Sequence, residues 1–153
     1  MKQLEDFVNR FQARISLNKN LMAKRRDRYF LLNDSLKRLI SEDFFCAGTY
    51  LGKTMRGKFF PSFNLLRLIA AKKANKVIVD KKTEWLFICG RDIFRKGITE
   101  MVGSKKKGNY TLILNRHGEC LGFGKTLCNL DKVKGKVAIK NISDIGDFLR
   151  RER

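Results

Sequence analysis

The chain reads as an α+β protein, with mixed helices and strands over residues 1–74 and a β-rich half over 75–153. Three observations carry that expectation. Apolar residues recur at helical spacing near the start of the chain and again after Pro61. Past Asn75 the pattern changes to short apolar runs separated by turns rich in Gly, Lys, Asn and Asp. No Pro/Ser/Gly linker divides the halves, so two small domains are expected to pack together rather than hang on a tether.

Leu4, Phe7, Val8, Phe11 and Ile15 share one face of a helix over 3–15, with Glu5 and Asp6 in its favourable first turn. A basic connector, Lys24-Arg25-Arg26-Asp27-Arg28, leads into a short apolar strand over 29–32. Asn33-Asp34-Ser35 offers capping oxygens to a short helix with Leu36, Leu39 and Ile40 on one face. Residues 44–51 read as a strand, and 52–57 as a basic turn into Lys58-Phe59-Phe60. Pro61 and Ser62 open the next helix, because proline lacks only an amide that the first turn leaves unpaired anyway. Phe63, Leu66, Ile69 and Ala70 form its face, Lys72 and Lys73 suit its negative end, and Asn75 stops it. Beyond it, 77–79, 84–89, 110–114, 120–123 and 137–140 read as strands. A short helix at 92–95 interrupts them and a helical turn follows Asp144.

Charge narrows the function classes. Among 153 residues, 34 Lys and Arg stand against 15 Asp and Glu, a net charge of +19. Such a surface repels itself, which favours a monomer, and it calls for a polyanion or an acidic partner. At 43% apolar with 12 Phe, the chain is nevertheless no disordered basic tail. Its longest apolar run, Trp85-Leu86-Phe87-Ile88-Cys89, is far too short to span a bilayer, so no membrane is expected. The opening residues, with Lys2, Glu5 and Asp6, do not read as a secretory signal. Residues 1–74 carry 16 basic and 6 acidic groups, and residues 75–153 carry 18 and 9, so charge does not separate the halves.

Catalytic and metal-binding patterns are missing. Cys46, Cys89, Cys120 and Cys128 are spaced by 43, 31 and 8 residues, which matches no zinc or redox motif. They read as buried or idle thiols of a reducing compartment, given the apolar neighbours of Cys46 and Cys89. The lone His117 lies in a turn between two apolar runs. Gly-Lys-Thr occurs at 52–54 and at 124–126 without the upstream glycine of a phosphate-binding loop. Acidic residues stand mostly singly among lysines, which suits solvated ion pairs. The expectation is a protein that is not an enzyme and has no cofactor and no metal.

The basic groups are better candidates. Lys125, Lys132, Lys134, Lys136 and Lys140 flank or enter the last predicted strand, and Arg150, Arg151 and Arg153 follow it. If that strand starts near Lys136, the alternation of strand side chains puts Lys136 and Lys140 on one face. Unpaired positive charge there suits phosphate-backbone contact. Lys105-Lys106-Lys107, between two glycines, reads as a mobile loop tip adding only long-range attraction. Most phenylalanines sit in core-patterned runs. Phe123, with Gly122 and Gly124 beside it, is where another backbone or a ligand can approach closely.

Gly48-Thr49-Tyr50-Leu51-Gly52-Lys53 followed by Gly57-Lys58-Phe59 resembles a signature of the Nip-seven family of large-subunit ribosome-biogenesis factors. Lys76-Val77-Ile78-Val79 and the run from Phe87 to Ile98 look like that family's entry into its PUA domain. Leu121-Gly122-Phe123-Gly124 and Asp144-Ile145-Gly146-Asp147-Phe148-Leu149-Arg150 are similar to its two C-terminal signatures. The resemblance runs over about 45–152. It implies a small N-terminal α/β domain packed on a C-terminal PUA pseudobarrel that binds RNA. It also implies a role in pre-ribosomal RNA processing and, in some lineages, contact with the exosome or pre-ribosomal proteins. The family's RNA contacts fall around the last PUA strand, where this chain carries Lys134, Lys136 and Lys140. Its compact, lysine-rich form looks archaeal, which favours the cytoplasm; a eukaryotic source would favour the nucleolus.

Two other readings compete. An RNA-modifying enzyme with a PUA domain would need a cofactor pocket or turnover on RNA. A basic adaptor to an acidic protein would keep its partner after nuclease treatment.

Overall fold

The computed structural model describes residues 2–15, 17–40, 44–132 and 135–151. The first helix, α1 (Lys2–Asn9), is shorter than its apolar spacing predicts. The amides of Arg10, Phe11 and Gln12 reach back three residues rather than four, and Gln12 takes a φ of 52°. These tight turns end the helix yet still carry Phe11 into the core, where it is fully buried.

The basic connector is a hairpin. Strands β1 (Met22–Arg25) and β2 (Arg28–Leu31) pair antiparallel across Arg26 and Asp27. Lys24 lies over the Tyr29 ring, so charged side chains disguise an edge strand that pairs with β2 along its length. The helix α2 (Asp34–Leu39) forms as predicted, with the Asn33 side chain accepting from the Leu36 amide at 2.8 Å. Its expected apolar face is absent, since none of its residues is buried. The strand read over 44–51 is displaced: β3 (Thr49–Met55) starts later and runs through the expected basic turn. The true turn is Arg56-Gly57, where both residues have positive φ, as a two-residue hairpin requires. It leads into β4 (Lys58–Pro61), an edge strand that tolerates the missing amide of Pro61. Ser62 caps α3 (Phe63–Ala70) by accepting from Leu65 at 3.2 Å. The first sheet has the order β1-β2-β3-β4.

The second sheet holds β5 (Lys76–Val79), β6 (Ile93–Phe94), β7 (Ile98–Val102), β8 (Tyr110–Leu114), β9 (Cys120–Thr126) and β10 (Val137–Asp144). Their order is β6-β10-β9-β8-β5-β7, curled into a half-barrel, and only the β5–β8 pair is parallel. Residues 84–89 are not a strand but most of helix α4 (Lys81–Ile88). Asp80 caps it, accepting from the Thr83 amide at 2.7 Å. Only Phe87 of this helix is buried, so the apolar run signals neither alternation nor a helical face. The helix expected at 92–95 is instead β6 followed by a single 3-10 turn, and β7 escaped the sequence reading altogether. Helix α5 (Ile145–Arg151) closes the chain as expected.

Asp80 gives a first testable expectation. An Asp80→Ala chain loses about 1 kcal/mol of stability at neutral pH. The Thr83 amide lowers the Asp80 carboxyl from its ordinary value. A lowered native value means that the contribution is present above the unfolded value and fades as pH falls through the native one. The gap between the melting curves of parent and Asp80→Ala should therefore close in acid. An Asp80→Asn chain, capped at every pH, should show no such closing.

Two cores form. The second contains Val77, Phe87, Ile93, Ile113 and Ile139 inside the curled sheet. The first contains Leu4, Phe7, Phe11, Tyr29, Leu51, Leu65 and Ile69, together with Leu112 and Phe123 from the outer face of the second sheet. One aromatic core thus joins the two sheets. Of the two readings offered for these thiols, buried or idle, Cys46 and Cys89 are not buried: both are exposed, Cys89 at the end of α4, two residues past the buried Phe87. Burial instead pushes the Cys120 thiol up to about 11.

Candidate nucleic-acid interface

Register in the second sheet decides which cations meet. Lys140 on β10 lies directly opposite Lys125 on β9, and Lys125 lies directly opposite Tyr110 on β8. Like charges placed opposite on neighbouring strands repel, by up to about 1 kcal/mol. Both lysines are exposed and, among the described residues, neither pairs with a carboxylate. A phosphate set between them converts that repulsion into attraction.

The row continues beyond the sheet. Arg10, just past α1, stacks its guanidinium 5.1 Å from the centre of the Tyr110 ring and donates to its hydroxyl at 2.9 Å. Tyr110 in turn packs against Phe7, Phe11 and Phe123, with ring centres 6.2, 5.7 and 5.4 Å away. Arg10, Tyr110, Lys125 and Lys140 therefore form one basic and aromatic strip that crosses the second sheet and ends on the segment just past α1. Arg10 and Tyr110 are absent from the sequence reading. Arg10 follows Phe7 by three residues, a spacing that places it on the same helical face and could have found it.

Lys136 and Lys140 do not share a face by simple alternation. The register shifts between Val137 and Ile139, and Ala138 and Ile139 are both fully buried. Lys136 sits instead at the β6 edge, where its carbonyl accepts from the Arg95 amide at 3.3 Å, with exposed Lys96 next in the chain. Next to Lys140, the β10 backbone is tied to the segment after α4, since Asn141 donates its amide to Asp92 at 2.8 Å and its side-chain amide to the Arg91 carbonyl at 3.4 Å. Lys132 is exposed on the β9–β10 loop, outside the strand register that aligns Lys125 with Lys140. That loop pins the lysine-rich segment predicted to be mobile. Lys105 pairs with Asp131 at 3.0 Å, the Leu130 amide donates to the Lys105 carbonyl, and the Lys107 amide donates to Asn129. Lys134 lies outside the described residues, as do the side chains of Arg150 and Arg151, whose backbone ends α5.

Among the described residues no three His, Cys, Asp or Glu side chains gather as metal ligands. His117 occupies the β8–β9 turn, where Asn115 accepts from the His117 and Glu119 amides, both at 3.0 Å. Among the described residues no helix is long and apolar enough to cross a membrane.

The chain has relatives of the same build. A UPF0113 protein of Archaeoglobus fulgidus is 30% identical over 107 residues, 67% of this chain and 59% of that protein, so the chain spans less than two thirds of that relative. A conserved PUA domain protein from Thermoplasma acidophilum superposes with a TM-score of 0.62 at 19% identity, covering 99% of this chain and 92% of that one. A PUA domain from Aeropyrum pernix, solved with tartrate, gives 0.60 at 17% identity, covering 97% and 84%. These two likenesses carry the fold. The model of the UPF0113 PUA domain matches residues 75–153, which takes in every strand of the second sheet. PUA domains are an RNA-binding class. With the curled sheet accounted for strand by strand and more than half of the sequence matched, the chain belongs to the UPF0113 PUA domain family.

Proposed function

We propose that the chain is a non-catalytic RNA-binding factor acting in pre-ribosomal RNA processing and large-subunit assembly, as its Nip-seven resemblance implies. Lys125 and Lys140, opposed on the PUA sheet and without an ion pair among the described residues, carry the RNA-binding part of this reading. The order of the motifs from Gly48 to Arg150 supports the assembly role. Acidic groups standing singly among lysines, and a histidine held in a hairpin turn, support the non-catalytic part. Archaeal relatives support a cytoplasmic protein.

Phosphate contacts release counterions, so the logarithm of RNA affinity falls linearly with the logarithm of salt concentration. Replacing both Lys125 and Lys140 with alanine should flatten that slope by about 0.7–0.9 for each phosphate the protein no longer neutralises. An unchanged slope and affinity would overturn the surface. The assembly role is tested in cells by crosslinking: contacts on pre-ribosomal RNA support it, whereas contacts confined to other RNA classes, or partners that survive nuclease treatment without RNA, argue against it.

A further inference from the structure

A cleft of about 710 Å³ opens between the β4 edge of the first sheet and the outer face of the second. That volume lies within the roughly 300–1,000 Å³ typical of small-ligand sites. Its walls include the rings of Tyr50, Phe59, Phe60, Tyr110 and Phe123. Among the described residues, Arg10, Lys53 and Lys58 line it against one carboxylate, Asp6. Among the described residues neither Lys53 nor Lys58 takes an ion-pair partner. Gln3, fixed by the Thr54 hydroxyl at 2.9 Å, brings an amide to the wall, the kind of group that hydrogen-bonds a base edge. Flat apolar rings flanked by cations suit a planar, anionic ligand. A base stacks on such rings whatever its sequence, while its phosphates meet the lysines.

Position selects the ligand further. Arg10 and Tyr110 belong both to the cleft wall and to the strip that continues through Lys125 to Lys140. A strand whose phosphates follow that strip reaches the cleft mouth with its next nucleotide. The rings are recessed between two sheets, where the paired bases of a duplex cannot follow.

We propose that this cleft receives an unpaired base of a single-stranded RNA whose phosphates lie along the Lys125–Lys140 row. The proposal rests on the RNA-binding reading above and deepens it by assigning the first sheet a share of the ligand. The test uses the full chain and a short uridine oligomer carrying one 4-thiouridine. Photocrosslinks are expected within 50–60, and the same oligomer paired to its complement should not give them. Phe60→Leu keeps an apolar side chain but removes the stacking face, and should weaken binding about 5-fold or more. Lys58→Glu, at an exposed strand end, checks the cleft without disturbing a core residue and should also weaken binding. If Lys125→Ala with Lys140→Ala loses affinity while both cleft variants bind like the parent and crosslinks fall elsewhere, the cleft assignment is wrong and RNA binding stands. A parent chain that binds no RNA overturns both.

Discussion

A Gly122→Ala chain is expected to melt roughly 10 °C below the parent, and Gly118→Ala much less far. Gly122 holds a φ of 148°, and a Cβ there would run into the Ser143 carbonyl and the Asp144 backbone of the neighbouring strand. Holding a side chain at such a φ costs about 1–3 kcal/mol, and pushing β10 away from β9 costs about another 1–3 kcal/mol. Each kilocalorie lowers the midpoint by about 2–4 °C in a chain of this size. Gly118 also has a positive φ, 79°, but nothing lies within 4 Å of its missing Cβ. The difference between the two variants therefore reports the close approach of the strands together with the extra strain of the larger φ, and equal shifts would refute both. A second readout follows from register. The β9–β10 pairing that Gly122 permits is the pairing that sets Lys125 opposite Lys140. Under conditions where Gly122→Ala is still folded, its RNA affinity should fall as well.

The close approach was partly legible before the structure: glycines on both sides of Phe123 admit another backbone or a ligand, and the fold fills that space with the β10 backbone. Elements with one strong local signal were legible too. Ser62 and Asn33 cap the helices predicted for them, and the strands around Val77, Leu112 and Val137 sit where their apolar runs lie. The misreadings share a cause, which is that local composition opposed the tertiary environment. Trp85 and Leu86 are exposed on α4, so a helix there shows an unbroken apolar run that mimics a buried strand. β1 hides under Lys24 and Arg25 because its pairing lies in the backbone. The candidate site was legible only as a list of cations. Which of them meet depends on how β8, β9 and β10 align, and the shift near Ile139 breaks the alternation from which a single strand's pattern must be read. Arg10 is 100 residues from Tyr110 in the chain, a juxtaposition that only folding creates.

The same long-range contact frames the second large effect. Phe11→Ala is expected to cost about 3–5 kcal/mol, the range for removing a buried aromatic ring. By sequence Phe11 belongs to the first helix, but its ring centre lies 5.2 Å from Phe7, 5.7 Å from Tyr110 and 5.6 Å from Phe123. Its carbonyl accepts the amide of Asn75 at 2.8 Å, at the entry to β5. Asn75, itself buried, also donates to the Tyr110 carbonyl at 3.3 Å and accepts from the Ser104 amide at 2.7 Å. Deleting the ring therefore loosens the seam between the sheets, not one domain's interior. Amide hydrogen exchange should show protection falling together in β2, β3, β8 and β9. Loss confined to the first sheet, with β8 and β9 as protected as in the parent, would mean that the shared aromatic core does not couple them. Because Tyr110 rests on Phe11 and anchors Arg10, the coupled outcome carries a functional corollary. Phe11→Ala should weaken RNA binding at temperatures where the lysine row on β9 and β10 is still formed, since the strip then loses the end that leads into the cleft.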